Sequence, residues 1–333
     1  MIEYPWHTAV LQNLWRGRER LSHALLLHGT PGLGKAALAR EFVQLLCCTS
    51  ATGSVACGVC DACRWIQAEN HPDVQWVVPD ESEDGSDAHR ASSGISVGQI
   101  RAASEFLQRP SHYGGWRILV IFPAESMNLA AANALLKTLE EPLDNSLLLL
   151  VSHQIARLPA TVRSRCQHIH LDLPDAALAE DWLRAQGVAS PAISLALAGG
   201  APLRAQELAA PEVEQARQEL LTSLLAPEKM SPLLLAAQYA RMSSENWLRW
   251  LTWLQQWVHD LLSLRIGGLI RYHVDCSDVA AALAGRSDLP VLWQLQQRLL
   301  RARQAALHPL NLQLVLEEIL LAYCAVFLKR NKQ

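Results

Sequence analysis

The feature that most constrains this chain is the run Ala24-Leu25-Leu26-Leu27-His28-Gly29-Thr30-Pro31-Gly32-Leu33-Gly34-Lys35, a strand-length apolar segment that empties into a glycine loop. Residues 29–35 fit G-x-x-x-x-G-K, a pattern with chemical meaning where a strand precedes it and a helix follows. Both conditions hold, because the stretch after Lys35 is rich in Ala and Leu and has neither Gly nor Pro before Gly53. The glycines let backbone N–H groups turn inward around a phosphate, the helix N-terminus adds positive potential, and the lysine can reach the terminal phosphates. Gly29, Gly32, Gly34 and Lys35 are therefore the candidate nucleotide-binding residues, and the strand–loop–helix unit predicts an α/β domain with a mainly parallel sheet.

Further strands are expected at Val74–Val78, Arg117–Phe122 and Leu147–Val151, with an acidic, Ser- and Gly-rich surface loop over Asp80–Gly94. From about residue 175 the strand signals stop. Helical segments rich in Ala and Leu follow, broken at Gly199-Gly200, Pro202 and Gly267-Gly268, so the second half is predicted to be all α. Trp247, Trp250, Leu254, Trp257, Val258 and Leu261 recur at three- and four-residue spacing, which suits a helical core or an oligomerisation face. A chain of 333 residues, 50% hydrophobic and 18% charged, is neither disordered nor fibrous and has room for two or three domains. Its apolar runs fall short of the roughly 18–20 residues that span a bilayer, and Met1 to Trp6 lack the basic and then apolar start of a secretory signal. A cytoplasmic location is expected. A net charge of -3, from 29 Lys+Arg against 32 Asp+Glu, argues against a free-standing nucleic-acid binder.

The nucleotide site reads as incomplete. Where a Ser or Thr should follow the lysine and ligate magnesium, the chain has Ala36. A hydrolytic site also needs an acidic pair at a strand end, one residue for magnesium and one for the attacking water. Here Ile118-Leu119-Val120-Ile121 runs into Phe122-Pro123-Ala124, and the nearest acids, Glu125 and Glu140, are displaced from those positions. ATP hydrolysis by this chain alone is not expected, and nucleotide binding is left open.

Five of the eight cysteines fall within residues 47–63. Cys57, Cys60 and Cys63 have C-x-x-C-x-x-C spacing and Cys48 precedes them, so four thiolates can surround a structural zinc, with Cys47 the alternative to Cys48 as fourth ligand. An iron–sulfur cluster is the rival, but nothing else in the chain suggests redox chemistry.

Asn133-Ala134-Leu135-Leu136-Lys137-Thr138-Leu139-Glu140-Glu141-Pro142, the strand Leu147–Val151 and Arg163-Ser164-Arg165-Cys166 together resemble the clamp-loader branch of the AAA+ family. With the cysteine insertion after the first helix, the chain is similar to the bacterial DNA polymerase III clamp-loader subunits. Tyr4-Pro5-Trp6 and Leu307–Leu314 extend the likeness over nearly the whole length. The resemblance implies an AAA+ α/β, P-loop NTPase-type domain over 1–166 with a zinc module at about 47–64. It further implies a small helical lid domain over 167–207 and an all-α C-terminal collar over 208–333 that joins a ring. It implies that Arg165 enters a neighbour's ATP site as an arginine finger, where a guanidinium neutralises charge developing on the γ-phosphate, worth about 10³–10⁵ in rate for such fingers generally. Arg204, after Gly199-Gly200-Ala201-Pro202-Leu203, would be a phosphate-sensing arginine of the lid. The implied partners are gamma/tau and delta subunits in a hetero-oligomeric ring, with the sliding clamp and primed DNA reached through that complex. The chain would then be a component of the DNA-directed DNA polymerase III holoenzyme, a nucleotidyltransferase. Two alternatives lack features they need. An autonomous gamma/tau-like ATPase requires a carboxylate at the end of the Ile118–Phe122 strand, and a zinc-dependent nucleic-acid module requires more positive charge beside the cysteines than Arg64 supplies.

Overall fold

The computed structural model describes residues 3–80, 94–305 and 311–327. Most of the acidic loop expected over 80–94, and residues 307–310 of the late motif, lie outside the described residues. The chain separates into two compact units, 1–178 and 179–333.

The first unit is built on a five-stranded parallel sheet. Its strands are β1 (Ala24–His28), β2 (Val74–Val77), β3 (Arg117–Ile121), β4 (Ser146–Ser152) and β5 (Gln167–His170), in the order β2-β3-β4-β1-β5. β3 and β4 are buried along their whole length and β1 nearly so, which is why each reads as an unbroken apolar run rather than an alternating one. The helices are α1 (Thr8–Arg16), α2 (Lys35–Cys47), α3 (Asp61–Gln67), α4 (Val97–Leu107), α5 (Leu129–Glu140) and the short α6 (Ala160–Arg163). Ala24, Leu26, Leu119, Ile121, Leu148 and Leu150 form one face of the sheet and share a core with α4, α5 and α6. The alternate residues Leu25 and Leu27 point to the other face, and α2 lies against β1 and β4. Two helix starts follow simple capping chemistry: Ser96 and Gln99 close a capping box on α4, and Asn128 accepts from the Ala131 N–H on α5.

The sequence places the end of the sheet-bearing domain at residue 166, but the sheet runs on through β5. Only Ile169 of this strand is even partly covered, and Gln167, His168 and His170 are exposed. An edge strand needs no apolar run, so the apolar signal was absent.

The second unit contains helices and no described strand: α7 (Ala176–Ala185), whose start reaches into the first unit, α8 (Pro191–Leu197), α9 (Pro202–Leu208), α10 (Pro211–Leu224), α11 (Pro232–Tyr239), α12 (Ser244–Arg265), α13 (Ser277–Arg286), α14 (Leu289–Ala305) and α15 (Leu312–Ala325). Among the described residues, one buried cluster in it is formed by Ala179, Leu183, Leu195, Ala198 and Ala205 and another runs from Val213 to Val326, with Leu208 packed against both. The tryptophan stripe of α12 is interior: Trp247, Trp250, Trp253 and Trp257 are all buried. Trp257 donates its indole N–H to the Tyr323 hydroxyl at 2.9 Å, and that hydroxyl donates to the Leu224 carbonyl at 2.6 Å, joining α12, α15 and α10. This stripe is a core and not an oligomerisation face.

Candidate functional site

Three groups of residues singled out from the sequence belong to the first unit, and each takes a distinct form. The glycine loop connects β1 to α2. Gly29, Gly32 and Gly34 all adopt positive φ, and Lys35 opens α2. Lys35 is not extended toward the loop's mouth: its ammonium donates to the carbonyls of Gly29 (2.8 Å) and Thr30 (2.7 Å), and the residue is 1% exposed. Burial pulls its pKa down to about 8, against the nearby negative charge of Glu125. The N-terminal segment covers the other side. Trp6 donates its indole N–H to the Leu33 carbonyl at 3.0 Å, and His7 bridges that carbonyl (2.9 Å) and the Glu41 carboxylate (3.3 Å). A Cβ at Gly34 would meet the Tyr4 ring at 2.7 Å.

At the ends of β3 and β4 the residues are Phe122-Pro123 and His153, which stack edge to face with ring centroids 5.4 Å apart for Phe122 and His153. The Glu125 carboxylate accepts from the His153 backbone N–H at 2.9 Å. Burial, together with the positive charge of Lys35, holds the His153 imidazole below its ordinary pKa. Glu125 and Lys35 therefore share one electrostatic neighbourhood, and His153, which the sequence reading did not single out, joins them. Only the adjacency of β3 and β4 brings Glu125 and His153 together across 28 positions. Ala36 stands where a magnesium-binding loop of this pattern carries a hydroxyl, and Phe122-Pro123 where a hydrolytic site carries two carboxylates.

The cysteines converge. Cys48, just beyond α2, and Cys57, Cys60 and Cys63, around the start of α3, place their sulfurs within 4.8 Å of one another. The Cys57 and Cys63 sulfurs are 3.9 Å apart, and sulfurs held at about 2.3 Å by a tetrahedral zinc stand about 3.8 Å from each other. Backbone N–H groups are aimed at two of the sulfurs, Cys57 N–H at Cys48 (3.2 Å) and Cys60 N–H at Cys57 (3.4 Å), which suits thiolates. Gly58 supplies the positive φ of the turn between the first pair. Cys47, the alternative fourth ligand, is not in the group; it ends α2, and burial pushes its thiol up to about 12. Beside the module, Asp73 is saturated by Arg117 Nη1 (2.8 Å) and the backbone N–H groups of His112 and Tyr113, so it is structural.

Arg165 comes two positions beyond Arg163, the last residue of α6, and next to Ser164, which caps that helix. Its Nη1 donates to the Thr161 carbonyl at 3.0 Å and its Nη2 stands 2.5 Å from the Glu140 carboxylate at the end of α5. The side chain is 36% exposed, so the guanidinium is reachable from outside the chain. Arg204 is in the second unit, on α9, half-buried, and burial with the nearby Arg303 lowers its pKa.

A family model described as DNA polymerase III, delta subunit, matches residues 7–175, and one for the C-terminal part of the delta subunit matches residues 211–323. The DNA polymerase III subunit delta' of Pseudomonas aeruginosa is 34% identical over 97% of this chain and 98% of its own length. That of Escherichia coli is 32% identical over 84% and 82%. Among solved structures, a DNA polymerase III gamma subunit-related protein from Thermotoga maritima matches 95% of this chain and 99% of its own at a TM-score of 0.44 and 16% identity. From this likeness along both units, the chain belongs to the delta' family of DNA polymerase III subunits.

Proposed function

We propose that this chain is the non-hydrolysing, delta'-type subunit of a clamp loader. It acts as a stator in a ring with gamma/tau- and delta-type subunits in the cytoplasm, and it lends Arg165 to a neighbour's ATP site while the sliding clamp is loaded onto primed DNA. The observation that carries this reading is the contrast between two sites in one unit: an accessible arginine after α6, and a glycine loop whose lysine is bonded to the loop's own carbonyls and whose hydroxyl and acidic pair are replaced. A guanidinium offered in trans needs exposure and a rigid base, while hydrolysis in cis needs groups this loop lacks. In this reading Gly29, Gly32, Gly34 and Lys35 keep the strand–helix junction, and Arg204 serves the second unit's packing. Cys48, Cys57, Cys60 and Cys63 hold a structural zinc that closes the turn between α2 and α3. The two clusters at 179–205 and 213–326 support a lid followed by a collar.

The test is ATP turnover with and without partners. The isolated chain is expected to show none, and Arg165→Ala is expected to leave the chain folded and able to assemble while cutting turnover by the complex at least tenfold. Unchanged turnover in the Arg165→Ala complex would overturn the finger. Turnover by the isolated chain that vanishes in Lys35→Ala would make it an ATPase in its own right.

A further inference from the structure

Arginine is long and flexible, and a finger is useful only if the fork points at the phosphate when a neighbour arrives. Arg165 is tied at both ends of its fork. Nη1 donates to the Thr161 carbonyl one turn back on α6, and Nη2 pairs with Glu140 Oε1 at 2.5 Å. These two bonds use one N–H from each terminal nitrogen and leave the others of the guanidinium's five free to meet a phosphate. Glu140 is the last residue of α5, a helix anchored by the buried residues Ala131, Ala132, Leu135 and Leu139, so the carboxylate is fixed to the core of the first unit. It also adds to the partial negative charge at the helix end, which favours a cation there. The pair is half-exposed, with Glu140 51% accessible, so it contributes little to stability; its effect is on direction rather than on folding.

We infer that Glu140 is a positioning residue for Arg165: with the Thr161 carbonyl it fixes the rotamer in which the remaining N–H groups of the guanidinium face outward. This rests on the finger role proposed for Arg165. Removing the carboxylate frees the fork to sample other rotamers without altering the neighbour's own nucleotide contacts, so the loss falls on the rate and not on ATP affinity.

The experiment uses the complex reconstituted with its partner subunits, measuring DNA- and clamp-stimulated ATP turnover against ATP concentration for the unmodified chain, Glu140→Gln, Glu140→Asp, Arg165→Ala and the Glu140→Gln/Arg165→Ala pair. The expected result is unchanged assembly, a fall in kcat of about three- to tenfold in Glu140→Gln with KM unchanged, and partial rescue in Glu140→Asp. In the double variant, turnover is expected to be no lower than in Arg165→Ala alone. Normal or raised turnover in Glu140→Gln beside an impaired Arg165→Ala would overturn the positioning role and leave the finger standing. Loss of assembly in Glu140→Gln, or additive losses in the pair, would also overturn it. Unchanged turnover in Arg165→Ala would remove the finger itself and this inference with it.

Discussion

Gly29 shows how a residue without a side chain can hold a sheet edge against the start of a loop. Its φ is +154°, and a Cβ there would stand 2.5 Å from the Leu171 carbonyl oxygen, a backbone atom with little freedom to retreat. Leu171 follows β5 and donates its own N–H to the His28 carbonyl at 2.8 Å, so the absence of a side chain at Gly29 is what lets the sheet edge close against the start of the loop. Gly29→Ala is therefore expected to destabilise the chain by about 1–3 kcal/mol, read as a lower urea midpoint with an unchanged slope. A midpoint equal to that of the unmodified chain would mean that packing does not require this glycine. The motif was legible from its spacing, but its present reason was not: the sequence shows that a phosphate could sit in the loop, while the contact with Leu171 arises from a strand whose residues carry no apolar pattern.

Among the elements, the buried strands were the most legible. Residues 24–28, 117–121 and 146–152 were readable within a residue or two because parallel strands covered on both faces must be continuously apolar, and 74–77, an edge strand with only Val77 buried, was readable from its β-branched and aromatic residues between His71-Pro72 and Pro79. β5 was not, since its faces are largely open. The cysteine module was legible from spacing alone, because C-x-x-C turns bring sulfurs together whatever surrounds them; choosing between Cys47 and Cys48 needed the direction in which α2 ends. Since the four sulfurs meet in a short loop and a seven-residue helix, a metal held there, as proposed, would be coupled to the local structure. Cys60→Ser is expected to be recovered with close to no zinc, measured by elemental analysis, and with faster proteolysis within residues 48–67. A full equivalent of zinc in that variant would refute the ligand set. The pairing of Arg165 with Glu140 was beyond the sequence, because it joins the ends of α5 and α6, which only the shared core brings close.

At the scale of the whole chain, four histidines among the described residues are held below the ordinary imidazole value, His28, His71 and His153 in the first unit and His273 in the second. Burial is the main cause in each. Lys35 adds repulsion at His28 and His153, and His71 Nδ1 already accepts the Asp73 N–H. A histidine whose folded pKa is depressed contributes stability that is present above its unfolded value of 6.5 and lost as pH falls through the folded one. Asp260, on α12, has the same sign at lower pH: burial alone would raise it, but the His273 ring and the N–H groups of residues 271–273 bond to its carboxylate and bring it below the usual value. The denaturation midpoint is thus expected to fall between pH 7.5 and 5.5, and His273→Asn, which keeps a donor for Asp260 without a titrating ring, should flatten part of that slope. A flat profile in the unmodified chain would contradict it. Lys35 has a consequence of a different kind. A serine at 36 or a carboxylate at 122 or 123 would each supply one fragment of a hydrolytic centre, and none would detach the ammonium from the carbonyls of Gly29 and Thr30. Under the proposed function, turnover by this loop would therefore need several substitutions together, a hydroxyl, a carboxylate and a released Lys35, and no one of them alone would supply it.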